Sequence, residues 1–574
     1  MNTLFHSRWH FIAKVTTSGL LLLTAPVVAQ TLPSDPLRPN PNLDRFPQPL
    51  PLPQPLPPRT PQPVPQPTSP SPELPTVKIS IRKIEVTGST ILKQGEITAI
   101  TRSIEGRTVT FADLQGVANA ITQLYLDRGY ITSKAILTSQ TIVDGIVKIQ
   151  VVEGSLEKVE VEGTRRLKPD FIRSRINLGI GTPLRTDKIE DQLQLLKLDP
   201  LFTNVEASLK PGTETGKSIL TVRVLEANLL GGSVSIDNDS PTAVGSERLG
   251  ISLSDRNLTG NGDELGVAYY RTTAGGASSA DIIYRVPINP MNGTIQFRYS
   301  PTQSKIIEPP FNRFDITADS SLYEFSYRQP LVRSPRQEFA LLLGFAAQNG
   351  QNFLSGAAFP LSEGADAQGN SKTRVLKFGQ DYLRRDHAGA WAARSQFNFG
   401  LDVLNATKNA DPTPDGRFFS WQGQAQRVQQ LDRNQLLIVQ ADLQFSPNTL
   451  MASQQFFLGG GQSLRGYRQN AIAGDNGVRL SVEDRIAILR DQAGQPNLQL
   501  APFANLGTVW NNPGERFHRL RGETFLAAGG LGLIWEPVPR FLIRASYAIP
   551  FVQFSNRGEN AQDRGFNFSV VYSF

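Results

Sequence analysis

From Leu229 to Phe574 one pattern recurs: runs of 8–16 residues alternate apolar and polar positions, separated by Gly, Asn, Asp and Pro clusters. Alternation at period two predicts strands with two unlike faces. In the last run Phe566, Phe568, Val570, Tyr572 and Phe574 share one face, and Asn567, Ser569 and Ser573 share the other, with Val571 the exception. Between Gly477 and Leu489, the residues Val478, Leu480, Val482, Ile486 and Ile488 oppose Arg479, Ser481, Glu483 and Arg485. Asp484 breaks that apolar face unless it lies near a rim. Sixteen such runs are predicted, near 229–238, 247–256, 263–273, 279–288, 293–302, 321–330, 337–347, 371–386, 389–404, 417–430, 434–447, 475–489, 496–511, 523–536, 541–553 and 564–574. Many exceed the roughly five or six residues usual in soluble sheets. An even number of long two-faced strands fits a closed transmembrane barrel, lipid outside and water within. About 16 strands leave room for an aqueous lumen. Inner positions such as Gln440, Asp442 and Gln444 then predict a wet polar wall.

Before the barrel, residues 77–228 repeat once, at a period near 75. Ile84–Gly88 aligns with Val159–Gly163, Gly106 with Gly181, and Glu153 with Glu226, each Glu closing a last strand. Helical spacing marks Phe111–Arg128 (Leu114, Val117, Ile121, Leu124) and Thr186–Leu198 (Ile189, Leu193, Leu196). The predicted strand pairs are Thr132–Leu137 with Ile146–Val152, and Phe202–Leu209 with Ile219–Leu225. Each copy reads as an α+β unit of β-α-α-β-β order. A free edge of such a sheet can accept an extended peptide.

One connection is too long to be a plain turn. Residues 446–476 contain Gly459-Gly460-Gly461 and then Leu464-Arg465-Gly466-Tyr467. Folded into the lumen, Arg465 would need acceptors on the inner wall, because a buried unpaired guanidinium is too costly. By parity Glu483 points inward, as do Phe503, Asn505 and Gly507 of the next strand.

At the other end, Arg8 and Lys14, the apolar Leu20–Leu23 and Val27-Val28-Ala29 predict a signal peptide over 1–29. Residues 30–76 are a linker: 18 of the 45 residues from Thr31 to Pro75 are proline, a composition that favours an extended polyproline spacer. The domain plan is therefore 1–29, 30–76, 77–154, 155–228 and 229–574. The whole chain has no cysteine, which excludes disulfides, thiolate metal sites and a cysteine nucleophile. Four scattered histidines, His6, His10, His387 and His518, offer no metal site. A net charge of +7 is spread without a basic run, so no nucleic-acid partner is expected. No Gly-rich phosphate loop is visible, no Ser-His-Asp spacing stands out, and pairs such as Asp381/Arg384 and Glu483/Arg485 nominate no reaction.

Taken in order, these features resemble the two-partner secretion transporters, the TpsB group or ShlB/FhaC/HecB family of haemolysin secretion/activation proteins. The repeats resemble POTRA domains. Leu464-Arg465-Gly466-Tyr467 resembles the family's loop-tip motif, and Pro502–Trp510 its F-x-D-x-G barrel-wall motif. Phe574, with Tyr572 before it, resembles the terminal aromatic read by the barrel-assembly machinery. The resemblance implies a non-enzymatic, cofactor-free and monomeric outer-membrane pore, with POTRA domains in the periplasm and lipid around the barrel. Its partner would be a secreted TpsA-like exoprotein, and Arg465 would sit on a gating loop against Glu483, Asn505, Phe503 and Gly507. Two features depart from the family: Asn505 stands where an Asp is usual, and no amphipathic plug helix precedes the proline tract. The rival within the superfamily is a BAM-like insertase, which usually carries more repeats. A plain porin would not need the repeats.

Overall fold

The computed structural model describes residues 78–410, 412–512, 524–553 and 557–574. The signal-peptide and linker segments, and His6, His10 and His518, lie outside them.

Each repeat folds as a three-stranded sheet backed by two helices. In the first, Lys83–Thr87 leads to helices Gln94–Thr101 and Phe111–Asp127, then strands Lys134–Leu137 and Ile146–Val152. The second follows with Ser155–Glu162, helices Pro169–Asn177 and Thr186–Lys197, and strands Phe202–Pro211 and Lys217–Glu226. In both, the last strand lies in the middle, parallel to the first and antiparallel to the one before it. Leu114, Val117, Ile121 and Tyr125 bury one face of the longer helix, Phe111–Asp127, against Ile84, Val147 and Ile149. Thr110 caps that helix, accepting from the Asp113 N–H, while Asp113 accepts from the Thr110 N–H. One small ladder escaped the sequence pattern: Lys78–Ser80 pairs with Thr108–Thr110, strands too short to show alternation.

Two of the aligned positions have the same physical job in both copies. Gly88 and Gly163 have φ of +82° and +89°, and a Cβ there would strike the carbonyl oxygen of Val151 or Val224 in the central strand. Glu153 and Glu226 each turn back to hold the loop after the first strand. Glu153 accepts from the Thr90 N–H at 2.7 Å and from the Tyr125 hydroxyl at 2.6 Å. Glu226 accepts from the Arg165 N–H at 2.7 Å and the Leu167 N–H at 3.0 Å. Gly106 and Gly181 are not equivalent: only Gly106 has a positive φ, of +74°.

The sixteen long strands close a single antiparallel barrel, from Leu230–Asp237 to Phe566–Ser573, with the two-residue strand Ala357–Ala358 as an extra beside the seventh. Closure joins the last strand to the first, Ser569 opposite Asp237 through Ser573 opposite Ser233. Phe574 extends the seam, exchanging backbone hydrogen bonds with Gly232. Apolar side chains such as Tyr572 and Phe566 face outward, and Asn567, Ser569 and Val571 are buried inside. Asp484 is opposite Leu437, two residues from the strand start at Gln435, whose amide donates to it at 3.4 Å; the break in the lipid face is therefore at the periplasmic rim. Inside, charges are paired: Arg248 with Asp237, Arg298 with Asp281, Lys377 with Glu324, and Arg328 and Arg394 with Asp381. Asp381 therefore does not pair with Arg384, which is exposed on the opposite face of the same strand. His387 is exposed in the turn after the eighth strand.

The second repeat sits on the barrel's first two periplasmic turns. Lys168 donates from its backbone to the Gly260 carbonyl at 2.9 Å, and Arg166 reaches the Asn257 carbonyl at 3.2 Å. Phe171 fills the space a Cβ on Gly262 would occupy, and Arg175, stacked on Phe171, donates to Asn292 at 3.2 Å.

Burial opposes ionisation of Glu153, but the hydrogen bonds from Thr90 and Tyr125 hold its carboxyl below the usual carboxylate range. Burial, and then the bond to Glu153, pushes the Tyr125 phenol up to about 12. A carboxyl with a lowered folded pKa contributes stability at neutral pH that is lost as pH falls through that lowered value. The substitution Glu153→Gln should therefore destabilise the first repeat by about 1–2 kcal/mol at pH 7. It should also flatten the acid limb of the unfolding curve below the usual carboxylate range, measured by urea denaturation across pH.

Candidate functional site: the loop folded into the barrel

Residues 446–475 leave the eleventh strand (Gln435–Phe445) and re-enter as the twelfth (Asn476–Arg490). The segment makes its own small hairpin, Phe456–Leu458 against Ile472–Gly474. The triple glycine turns it: Gly459 and Gly460 have φ of +117° and +96°, and Gly461 passes against Asp239 so closely that no Cβ fits. The Ser463 hydroxyl clasps the turn, accepting from the Gly459 N–H at 3.0 Å and donating to its carbonyl at 2.8 Å.

The hairpin lies inside the barrel. Phe456, Leu458, Leu464 and Tyr467 form one buried cluster with Phe503, Val509, Leu526, Ala528 and Ala548 of the wall. Fully burying side chains of this kind stabilises the loop by roughly 1.5–3 kcal/mol each. The wall is cut to receive them. A Cβ on Gly507 would stand 2.8 Å from Leu458, and one on Gly477 would enter the Phe456 ring. Gly466, at φ +101°, passes Ala528 and Ala548 with room for no Cβ beyond 3.0 and 3.2 Å. The Tyr467 hydroxyl sits between the fourteenth and fifteenth strands, 2.8 Å from the Ala527 carbonyl and 2.9 Å from that of Val552; its one proton serves one of them at a time.

Arg465 reaches the wall here. Its Nη1 donates to Glu483 Oε2 at 2.7 Å, and its guanidinium lies 3.3 Å above the centre of the Phe503 ring. Arg485 donates to the other oxygen of Glu483 at 2.7 Å, so one carboxylate sits between two arginines. Arg465 and Glu483 are 16% and 13% exposed, a depth at which removing one partner costs about 3–5 kcal/mol. Asn505 is inside and buried but does not bond Arg465. Its oxygen accepts from the Ser481 hydroxyl at 2.7 Å, and its Nδ2 has no partner among the described residues. An amide oxygen cannot compete with a carboxylate for a guanidinium, and Glu483 occupies that role. Tyr572 and Phe574, by contrast, are on the outer face at the seam, 45% and 49% exposed and far from the loop.

Sequence reasoning missed most of the loop's other anchors. Arg479 pairs with Asp442 and donates to the Gln462 and Ser463 carbonyls at 3.1 and 2.8 Å. Arg468 grips Asp563 with two bonds of 2.9 and 2.8 Å, and Gln462 donates to Asp239 at 2.7 Å. These join residues up to 223 positions apart, which no local spacing reveals. Parity did place Arg479 and Asp442 inside. The inner wall near them is covered rather than wet: Gln444 is fully buried, donating to the Gln454 and Asp475 carbonyls at 2.9 and 3.1 Å.

The comparisons with known proteins fit this architecture. Residues 216–534 match the family described as haemolysin secretion/activation protein ShlB/FhaC/HecB. The chain belongs to that family. Residues 79–154 match the ShlB-type POTRA domain. The chain is 25% identical over 408 residues to the outer membrane transporter CdiB of Dickeya dadantii strain 3937, covering 70% of this chain and 71% of that protein. It is 23% identical to the heme/hemopexin transporter protein HuxB of Haemophilus influenzae strain 86-028NP, covering 83% and 84%. The solved structure of CdiB from Escherichia coli shares the fold, with a TM-score of 0.66, 24% identity and coverage of 91% and 94%. As a ShlB/FhaC/HecB member the chain is a non-enzymatic outer-membrane translocator for a partner exoprotein, with its POTRA domains in the periplasm.

The fit of Leu458 over Gly507 gives a test of the seat that leaves Arg465 untouched. Gly507→Val should lift the hairpin, at an overpacking cost of about 1–3 kcal/mol. Single-channel conductance in planar bilayers should rise several-fold, with the heat-modifiable mobility of a folded barrel retained.

Proposed function

We propose that the hairpin carrying Arg465 is the resting gate of this translocator and must leave the lumen for the exoprotein to pass. The observation that carries this reading is the single carboxylate of Glu483 held between Arg465 of the loop and Arg485 of the wall. Such a contact is specific in the seated state, and its charges can be rehydrated once water enters. The units involved are the two POTRA domains at 77–154 and 155–228, the barrel at 229–574 and the loop at 446–476, after a signal peptide and a proline spacer.

The exoprotein's N-terminal region docks first, in part as an added strand on a repeat sheet. The free edges are Lys83–Thr87 and Lys134–Leu137 in the first repeat, and Ser155–Glu162 and Phe202–Pro211 in the second. The chain then threads through the lumen, and folding outside gives the direction. One barrel works alone, surrounded by outer-membrane lipid and inserted by the barrel-assembly machinery through the Tyr572/Phe574 end.

Arg465→Ala should leave the barrel inserted while cutting secretion of the exoprotein by about tenfold or more, the loss expected when roughly 1.4 kcal/mol or more of coupling is removed. Secretion at the wild-type level from an inserted variant would rule out the gate. Quantitative mass spectrometry of a deletion strain separates the insertase alternative. Loss of one or a few large proteins from the medium supports translocation, whereas a fall in many barrels together supports insertion.

A further inference from the structure

A second polar site lies on the outside of the barrel, away from the loop and the lumen. The sixth, seventh and eighth strands (Ile316–Arg333, Gln337–Leu354 and Asn370–Arg385) are among the longest in the barrel. Over their middle, the outward face is apolar: Tyr323, Phe325, Leu343, Leu376 and Phe378 are all exposed. Toward the extracellular ends the same face turns polar. There Ser321, Asn349, Gln351, Asn370, Lys372 and Arg374 line a groove of about 740 Å³, with Tyr299 on one side and Leu404 on the other.

The cations of this groove differ from the buried arginines named in the lumen. Lumen arginines such as Arg248, Arg298 and Arg394 are paired with carboxylates. Arg374 is only 6% exposed, yet no carboxylate lies within 4.0 Å of it among the described residues. Its nitrogens donate to neutral oxygens: the carbonyls of Gln348, Thr373 and Leu404 at 2.9, 2.8 and 3.2 Å, and Asn349 Oδ1 at 2.8 Å. Its orientation is fixed and its charge is left uncompensated next to the hydrocarbon layer, where such a charge is costly. Lys372, one position along the same face, also forms no ion pair among the described residues. Asp366, in the loop before the eighth strand, is engaged by the N–H groups of Gln368 and Asn370, from which it accepts at 3.0 and 2.8 Å. Asp319 lines the groove two strands away.

The lip of the groove is apolar. Leu404 has a φ of +49° and is 66% exposed, and Val403 beside it is 43% exposed. The turn that presents them is held by Arg374, which donates to the Leu404 carbonyl, and by the Ala406 N–H, which donates to the Val403 carbonyl at 3.1 Å.

We infer that this groove binds the phosphorylated headgroup of an outer-leaflet glycolipid. The phosphate sits against Lys372 and the fixed guanidinium of Arg374. Sugar hydroxyls meet Ser321, Asn349 and Gln351. Acyl chains run down the outer wall over Tyr323, Phe325 and Leu376, with Val403 and Leu404 beside them. The polar groove is continuous with this lipid-facing band, which favours a lipid over a soluble anion. The hydroxyl and amide lining favours a sugar-bearing headgroup. The inference does not depend on the gate.

The test uses the purified full chain in detergent micelles and native mass spectrometry. The probes are bis-phosphorylated lipid A, the same lipid without its phosphates, and inorganic phosphate. The phosphorylated lipid should bind, and removal of its phosphates or the change Lys372→Gln should weaken binding by about tenfold, as loss of one charge-assisted contact does. Millimolar inorganic phosphate should not displace the lipid. Arg374→Gln should weaken it further; if that variant loses its folded, heat-modifiable form, Asn349→Ala together with Lys372→Gln replaces it. Equal binding of the lipid with and without phosphates, or unchanged binding by Lys372→Gln, would overturn the inference. Displacement by inorganic phosphate would also overturn it, by making the groove a free-anion site.

Discussion

In hydrocarbon a peptide group has no hydrogen-bond partner except another peptide group. The architecture of this chain follows from that constraint. Sixteen strands must pair in a ring, so each alternates its faces, and the inner face is largely polar except where apolar wall residues such as Val509, Leu526 and Ala528 seat the hairpin. A polar inner face in a narrow space gathers charges, and the charges must be neutralised locally. The paired arginines and acids around the lumen are this neutralisation, and at Glu483, with an arginine on either side, the wall shares it with the loop folded inside.

The seat of the hairpin combines two kinds of contact with different reach. Small residues, Gly477, Gly507, Ala528 and Ala548, let Phe456, Leu458 and Gly466 approach the wall closely, which fixes position but falls away over a fraction of an ångström. The ion pairs of Arg465, Arg468 and Arg479 act over longer distances and tolerate water. The apolar contacts set where the loop lies, and the ion pairs hold it there.

The strands were legible because lipid on one side and water on the other impose the simplest of patterns, a period of two, on every one of them. All sixteen predicted runs correspond to observed strands, and even the exceptions had meaning: Asp484 lies at a rim, and Val571 turns inward. The repeats were legible for a different reason, since two copies of one unit need the same glycine at a left-handed corner and the same glutamate to close the loop. Gly106 and Gly181 both lie between the two helices of their repeat, but an identical residue can occupy a connection without using its special freedom, and only Gly106 does use it. The loop's destination followed from parity only in part. Parity says which residues face inward, and it placed Glu483 and Asn505 together. It does not say which of them is nearer, and the choice of Glu483 over Asn505 depends on how a thirty-residue segment lies in three dimensions. The links from Arg468 to Asp563 and from Gln462 to Asp239 are of the same kind, being long in sequence and silent in any local window.

The seam has a consequence for how the molecule comes into being. Asn238 accepts from the Phe568 N–H across 330 residues, and the ladder from Ser569 to Ser573 runs against the very strand that begins the ring. Contacts so distant in sequence form slowly, because the loop they close is nearly the whole barrel. Until they form, the first and last strands are both raw sheet edges, and raw edges pair with whatever strand is near. The ring thus carries two raw edges, Leu230–Asp237 and Phe566–Ser573, for as long as its closing ladder is unmade.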